Sequence, residues 1–192
     1  MILEGLVTTL DSAGTLNLAP MGPIVTSDLS HFTLRPFQTS RTYQNLKQHP
    51  AGVFHVTDDV ELIARAALDG LVELPPTRPA AVVAGRVLAD CCRWFEFQVV
   101  TLDDSRERTE IVVEVLHTGR VRDFLGFNRA KHAVLEATIL ATRLHLIPEA
   151  DVRRDLAWLA SPVQKTAGPK ELAAWEFVTE FVENSYRSPS RT

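Results

Sequence analysis

The chain has 192 residues, of which 45% are hydrophobic and 23% charged, and its formal net charge at pH 7 is −4. These values are typical of an ordinary globular protein with one core and an appended element, or with two small domains. No apolar run approaches the ~20 residues of a membrane span, and no basic stripe suits nucleic acid. The N-terminus lacks a basic region and a cleavage site for export, so we expect a cytoplasmic protein.

The chain opens with a predicted β-hairpin, in which strands over residues 2–9 and 16–27 flank a turn at 11–14. The second strand contains Pro20, Gly22 and Pro23. Prolines cannot donate ladder hydrogen bonds, and a glycine leaves room for another group to approach. This stretch is either an edge strand with a bulge or an interrupted strand whose free backbone groups face a planar ligand.

The next stretch, residues 29–57, contains no Asp or Glu, although the average acid content of the chain would place about three or four there. It carries Arg35, Arg41 and Lys47. Because the local field rather than the net charge selects an anionic ligand, we expect a small anion as the partner of this region.

A strand over 31–34 ends at Pro36, and helical spacing predicts that a helix begins near Ser40. The N-terminus of a helix binds phosphate well when hydroxyl groups and an arginine stand beside it. Alternatively, Thr39 or Ser40 is only the N-cap of a surface helix. Against that simpler interpretation, no Glu or Gln completes a capping box and the first turn has no acid.

Further strands are predicted over 52–56, 80–102 with breaks near Gly85 and Asp90, and 109–117; a short helix capped by Asp58 or Asp59 runs to Leu68. Strands at such short spacing favour a small antiparallel barrel. Three aromatic residues within 93–97 indicate core, or an interface that closes over a flat ligand on another subunit. The adjacent Cys91 and Cys92 are expected to be buried thiols rather than a redox pair, and no Cys/His cluster has zinc spacing.

Beyond Gly119 the composition becomes helical, so we predict a barrel domain over 1–120 and a helical region over 121–192. A long, buried helix capped by Asn128 is expected to reach about Leu146, followed by helices over 150–159 and 170–186 and a loose tail over 188–192. Four polar residues share one face of the first helix and form either an ion network around Glu136 or a contact with an anionic substrate or cofactor phosphate: Arg129, His132, Glu136 and Arg143.

No glycine-rich dinucleotide motif, P-loop, His-Glu-x-x-His or Gly-x-Ser-x-Gly occurs, so any chemistry has to come from a bound cofactor. The order and spacing of three segments resemble the FMN-binding split-barrel superfamily, and more narrowly an uncharacterised branch of archaea and planctomycete-like bacteria in which a helical C-terminal region follows the barrel. The segments are Asn17-Leu18-Ala19-Pro20-Met21-Gly22, Arg35-Pro36-Phe37-x-x-Ser40-Arg41-Thr42-Tyr43-x-Asn45-Leu46 and Gly52-Val53-Phe54-His55-Val56-Thr57-Asp58-Asp59. The run 127–133, with 136–137 and 141–144, is similar to that helical region.

The resemblance implies a mainly β fold with α, a split β-barrel followed by helices, and a homodimer that holds FMN between its subunits. It places the FMN phosphate near Arg35 and 39–42, and the flavin ring along 17–21. Related flavin reductases often have Lys-Asp-Thr where this chain has residues 40–42. The expected cofactor-binding residues are Asn17, Ala19, Pro20, Met21, Gly22, Arg35, Phe37, Thr39, Ser40, Arg41, Thr42 and Asn45.

The resemblance also implies an FMN-dependent oxidoreductase that passes hydride or electrons to an unknown acceptor. The alternatives are a non-catalytic binding protein for flavin, haem or another flat anion, and a dimeric scaffold with an empty barrel. No catalytic residue, substrate or metal ligand can be assigned. We expect Arg41→Ala to weaken FMN binding more than Arg106→Ala, because 106 lies in a predicted exposed turn.

Overall fold

The computed structural model describes residues 1–187, which form nine strands and five helices. The strands are β1 (Gly5–Leu10), β2 (Leu16–Met21), β3 (Ile24–Val25), β4 (His31–Leu34), β5 (Ala51–Val56), β6 (Thr77–Pro79), β7 (Arg86–Leu88), β8 (Arg93–Asp103) and β9 (Glu110–Arg120). The helices are α1 (Arg41–Gln48), α2 (Val60–Ala67), α3 (Arg129–Ala141), α4 (Glu149–Thr166) and α5 (Pro169–Arg187).

Seven strands form one curled, antiparallel half-barrel sheet in the order β2-β1-β5-β8-β9-β4-β3, and β6 pairs with β7 beside it. The first three residues lie against β3, where Ile2 forms a bridge with Ile24. The Leu3 N–H donates to the Pro23 carbonyl at 3.1 Å, and the Val25 N–H donates to the Met1 carbonyl at 2.9 Å. This seam places the segment that precedes β1 against β3, the edge strand at the other side of the sheet. The predicted split barrel is confirmed.

The predicted strand over 16–27 is two strands, because pairing stops at Gly22 and Pro23. Up to that point β2 pairs with β1 from Leu16↔Leu10 to Met21↔Gly5. Pro23 has no N–H for a continuing ladder, so the chain leaves β1 and resumes as β3 beside β4. Since β2 is an edge of the sheet, one row of its backbone groups has no strand partner.

The core of the sheet is aromatic. Phe32 packs edge-on against Phe54 and Phe95, with ring centroids 5.7 and 5.2 Å apart. Trp94 is also buried, and its ring lies against Gly119, where an added Cβ would overlap the indole. The aromatic run over 93–97 therefore belongs to the core, and such edge-to-face pairs add to the stabilisation from burial alone.

His55, a buried polar residue of this sheet, has hydrogen-bond partners for both ring nitrogens inside the chain. His55 links three strands: the Leu88 N–H donates to Nε2 at 3.1 Å, so Nδ1–H donates to the Leu6 carbonyl at 3.3 Å. Burial lowers the pKa of His55 to about 4. Cys91 and Cys92 are buried thiols that form no disulfide within residues 1–187, and burial raises the pKa of the Cys91 thiol to about 11.

The chain divides into two compact units: residues 1–57 with 73–124, and residues 58–72 with the chain from 125 onward. The division differs from the predicted boundary at 120 because α2, capped by Asp59, belongs with the helices. In the helical unit, Lys131 lies 3.5 Å from an Asp58 carboxylate oxygen and 3.3 Å from one of Glu171.

The helices differ in length from their predictions. Helix α3 starts after its N-cap Asn128 as predicted, but it ends at Ala141. Helix α4 continues through Pro162, which has no N–H to donate to the Trp158 carbonyl and whose ring crowds that carbonyl. The predicted tail over 188–192 lies outside the described residues. Within residues 1–187, no helix combines the length and apolarity needed to cross a bilayer.

Candidate functional site

Helix α1 begins as the sequence predicts. Ser40 is its N-cap, and the side-chain oxygen accepts a hydrogen bond from the Tyr43 N–H at 3.2 Å. The first turn contains no acid. The simple capping role of Ser40 is therefore real, but it satisfies only one of the four N–H groups that a helix start leaves without a partner.

The loop before α1 is fixed to the loop before β9. The Pro36 carbonyl accepts hydrogen bonds from the N–H and the hydroxyl of Thr109, at 3.0 and 2.8 Å. The Gln38 side-chain amide donates to the carbonyls of Asp104 and Arg106, at 2.8 and 2.9 Å. These bonds hold residues 35–38 in one position beside β2.

A cleft of about 280 Å³, called the first cleft below, lies where these elements meet. Its walls are the end of β2, the loop after β4, the start of α1 and the residue that precedes Thr109. The lining residues are Ala19, Pro20, Met21, Gly22, Arg35, Pro36, Phe37, Ser40, Thr42 and Arg108.

The electrostatic feature of this cleft is Arg35. Its Nε is buried and has no hydrogen-bond partner within residues 1–187. Across that part of the chain, neither Arg35 nor Arg41 nor Arg108 lies within 4.0 Å of a carboxylate. A buried donor on a charged group is costly when unsatisfied, so the cleft is suited to an anion.

Unlike Arg35 and Arg41, Lys47 of the stretch 29–57 forms an ion pair within the chain. Its Nζ lies 2.7 Å from Oδ2 of Asp104, and the Tyr43 hydroxyl donates to the same oxygen at 2.7 Å. These hydrogen bonds lower the pKa of Asp104. The charge of Lys47 is thus neutralised within the chain, whereas the arginines of the first cleft keep theirs.

Eight of the twelve residues predicted for the site line the first cleft. Asn17 and Asn45 do not: both donate to the Thr9 hydroxyl, at 3.2 and 3.0 Å, and Asn17 also donates to Thr42 at 3.2 Å. They position the buried Thr42 from behind. The other two, Thr39 and Arg41, are exposed at the helix start. The eight are Ala19, Pro20, Met21, Gly22, Arg35, Phe37, Ser40 and Thr42.

Sequence reasoning missed Pro36 and Arg108 as lining residues. Arg108 is far from the motif in the chain, but Leu34 of β4 pairs with Ile111 of β9. In an antiparallel pair, the residues after one strand lie beside those before the other. The Arg108 guanidinium therefore lies over the exposed Phe37 ring, 5.7 Å from its centroid, and Nε donates to the Arg35 carbonyl at 3.3 Å.

The interrupted strand predicts that Gly22 leaves room for another group to approach. Side chains of the N-terminal segment occupy part of this room. A Cβ at Gly22 would stand 3.1 Å from the carboxylate oxygens of Glu4 and from a methyl group of Ile2. This glycine therefore lets the N-terminal segment approach the wall of the first cleft.

The predicted ion network on α3 is wrong. Arg129, Glu136 and Arg143 are exposed, and none of them forms an ion pair within residues 1–187. The ring of His132 stacks on that of Phe127, with centroids 6.0 Å apart. Exposed charges need no compensation, so the face is solvated.

Residues 1–187 also contain no His, Cys, Asp and Glu cluster able to hold a metal ion.

Solved structures with similar folds include FMN-bound and FMN-binding proteins, a flavin reductase and flavoredoxins. The FMN-bound protein MM1853 of Methanosarcina mazei is 24% identical, covers 94% of each chain and superposes with a TM-score of 0.79. Flavoredoxin of Methanosarcina acetivorans is 13% identical over 65% of this chain and 72% of its own, with a TM-score of 0.55. The 2-nitrobenzoate 2-nitroreductase NbaA of Pseudomonas fluorescens is 18% identical over 62% and 64%, with a TM-score of 0.52. These likenesses confirm the fold.

Models of the two domains of DUF447, a protein family of unknown function, match residues 3–122 and 128–180. The chain therefore belongs to the DUF447 family. Among curated proteins no sequence matches it.

Proposed function

We propose that this protein binds FMN in the first cleft and acts as an oxidoreductase that passes hydride or electrons from a reduced donor to a small-molecule acceptor. The observation that carries the proposal is the buried, unpartnered Nε of Arg35 beside the open edge of β2. The FMN-bound relative with the same fold over nearly the whole chain supports it.

The residues of the first cleft fit the two chemical parts of FMN. Arg35 and Arg108 can donate charge-assisted hydrogen bonds to a phosphate, and the start of α1 adds free N–H groups. The edge of β2 and the exposed ring of Phe37 offer backbone polar groups and an apolar surface to a flat ring. A cationic end and a flat apolar wall together match an anionic tail joined to a planar ring.

No carboxylate or imidazole lines the first cleft within residues 1–187. The lining side chains therefore include no general acid or base at neutral pH; the Glu4 carboxylate, whose oxygens lie 3.1 Å from a Cβ placed on Gly22, is beside the wall of the cleft. FMN, when bound, supplies the electron chemistry, so the chain needs only to bind it, orient it and limit the access of water.

A homodimer is part of the proposal. The first cleft, at about 280 Å³, is at the small end of the roughly 300–1,000 Å³ of pockets that enclose a drug-sized ligand. One chain then covers only part of FMN, and a second copy completes the enclosure. Size-exclusion chromatography with light scattering, with and without FMN, measures this; a monomer in the FMN-bound state contradicts it.

The binding proposal is tested by visible spectroscopy of natively purified protein, before and after addition of FMN and desalting. We expect a yellow protein with one FMN per chain. A colourless protein that leaves added FMN free in the filtrate overturns the proposal.

A non-catalytic flavin carrier is the second candidate, and the lack of an acid or base among the residues that line the first cleft favours it. The two are separated by reducing bound FMN chemically and adding candidate acceptors under anaerobic conditions. Fast reoxidation that depends on the acceptor concentration supports the enzyme, whereas reoxidation no faster than that of free FMN supports the carrier.

A further inference from the structure

A second cleft, of about 350 Å³, adjoins the first and shares Arg35 and Arg108 with it. The hydrogen bonds of Gln38 and Thr109 that fix residues 35–38 also fix the loop over 104–109, so both walls are held in place. The residues that line it are Arg35, Asp103, Ser105, Arg106, Arg108 and Glu110.

The lining of the second cleft combines arginines and carboxylates that form no ion pair with each other within 4.0 Å. Within residues 1–187, none of its three arginines lies within 4.0 Å of a carboxylate. Asp103 accepts a hydrogen bond from the Ser105 N–H at 2.9 Å, and hydrogen bonds from Ser105 lower its pKa, so it stays ionised. Glu110 is exposed at the start of β9.

This combination defines a ligand with two kinds of group. Guanidinium groups recognise phosphate through paired N–H donors. Carboxylates repel phosphate but accept hydrogen bonds from hydroxyl groups, as they do from the ribose of bound nucleotides. An anion alone would gain from the arginines and lose at Asp103 and Glu110, whereas a phosphorylated polyol gains from both.

We propose that the second cleft is the substrate subsite and binds the ribose-phosphate group of a nucleotide or sugar-phosphate substrate. This inference rests on the proposed function, because the subsite adjoins the cleft assigned to FMN. The two clefts share Arg35, whose Nε has no hydrogen-bond partner within residues 1–187, so a phosphate in the second cleft would lie beside a guanidinium group that the chain leaves without an acceptor.

The competing explanation is that FMN fills both clefts, since FMN itself carries a phosphate on a hydroxylated chain. Substitution of a residue that lines only one cleft distinguishes FMN in both clefts from FMN in the first cleft alone. Arg106 lines only the second cleft, and Ser40 lines only the first.

The test is calorimetric titration of the FMN-loaded protein with ribose 5-phosphate, with adenosine 5′-monophosphate and with inorganic phosphate. We expect both ribose phosphates to bind more tightly than inorganic phosphate. Tighter binding of the adenosine compound identifies a nucleotide, and equal binding identifies a sugar phosphate. Failure of both to bind the FMN-loaded protein overturns the inference.

Two variants test the assignment of residues. Arg106→Ala should weaken ribose 5-phosphate binding by roughly tenfold or more, the loss of one charge-assisted hydrogen bond, and leave the FMN dissociation constant unchanged. Arg120→Ala is the control, because Arg120 lies at the other end of β9 and pairs with Asp123 at 2.9 Å. If Arg106→Ala weakens FMN binding as much, FMN fills the second cleft and the inference is wrong.

Glu110→Ala should change the affinities for ribose 5-phosphate and for inorganic phosphate in opposite directions. Loss of a hydroxyl acceptor should weaken ribose 5-phosphate binding several-fold, and loss of a negative charge should strengthen the binding of inorganic phosphate. If the variant binds both ligands more tightly, Glu110 does not recognise hydroxyl groups and the ribose assignment is wrong. The FMN spectrum of each variant is recorded first, so that failure of FMN binding is distinguished from failure of the subsite.

Discussion

Glu96 and Arg35 are two charged side chains of the same unit with opposite surroundings. Glu96 is buried, yet one carboxylate oxygen accepts hydrogen bonds from the Ala81 N–H at 2.9 Å and the Trp94 indole at 3.2 Å. The other accepts from the N–H groups of Val82 and Val83, at 2.6 and 3.2 Å. Burial alone raises the pKa of Glu96, but these four donors outweigh it and the pKa is lowered.

Arg35 has the reverse arrangement, since its Nε is buried without an acceptor. The chain completes the shell of Glu96 by folding the loop over 81–83 around it, and it leaves the shell of Arg35 open. Because a buried polar group costs free energy unless it is bonded, Glu96 supports the fold, whereas the buried donor of Arg35 has no acceptor within residues 1–187.

Glu96→Ala should have the largest effect on stability. It leaves three backbone N–H groups and an indole N–H without their acceptor, so we expect a loss of about 3–5 kcal/mol in the free energy of unfolding. Urea unfolding measures it, with Glu114→Ala on the exposed side of β9 as the control. A loss below about 1 kcal/mol would show that the loop does not depend on Glu96, and the comparison would fail.

His55 gives a second test of a fully satisfied group. Its folded pKa of about 4 is below the ordinary histidine pKa of 6.5, so between these pH values the unfolded chain binds a proton that the folded chain does not. Above pH 6.5 the protonation of His55 should not affect the free energy of unfolding. As the pH drops to about 4, it should lower this free energy by about 3 kcal/mol. Urea unfolding of the wild type and His55→Gln from pH 7 to 4 measures the difference in slope; equal slopes contradict the prediction.

Arg35→Met should affect binding instead of stability. Methionine keeps much of the side-chain volume and removes the unsatisfied donor, so we expect the free energy of unfolding to stay within about 0.5 kcal/mol or to rise. FMN affinity should fall roughly ten- to a hundredfold, the value of a charge-assisted hydrogen bond. Fluorescence titration of FMN and urea unfolding of the same sample measure both. A large loss of stability with unchanged FMN affinity would reverse the roles assigned to Arg35 and Glu96.

Arg41→Ala should have the smallest effect. Arg41 is exposed and outside the lining of the first cleft, so its charge acts on an anion only through solvent. We expect FMN binding to weaken by about two- to threefold at low ionic strength, more than in Arg106→Ala, and the effect to vanish near 1 M salt, where the screening length is about 3 Å. A tenfold loss that persists in high salt would place Arg41 in direct contact with the ligand.

The sequence predicted the general location of the candidate site because that information is local. A stretch without acids, a strand that ends at Pro36 and a helix that starts at Ser40 are patterns within 29 residues. The break in the second strand at Gly22 and Pro23 is equally local. These patterns brought residues from β2, the loop after β4 and α1 into one predicted region, and the structure places eight of them around one cleft.

What the sequence did not reveal depends on strand pairing. Arg108 reaches the first cleft because β9 pairs with β4, and Glu96 is enclosed because β8 passes beneath the loop over 81–83. Both residues are surrounded by ordinary local sequence. The ion network on α3 failed for a related reason, since spacing shows which residues share a helix face but not whether that face is covered.

The seam between the first three residues and β3 has a mechanical consequence. One bridge and two hydrogen bonds hold it, whereas β8 and β9 pair along nearly their whole length. In deuterium exchange we expect the amides of Leu3 and Val25 to be labelled well before those of β5 and β8. Gly22, next to this seam, is part of the wall of the first cleft, so local opening of the seam should widen that cleft while the aromatic core of the sheet stays closed.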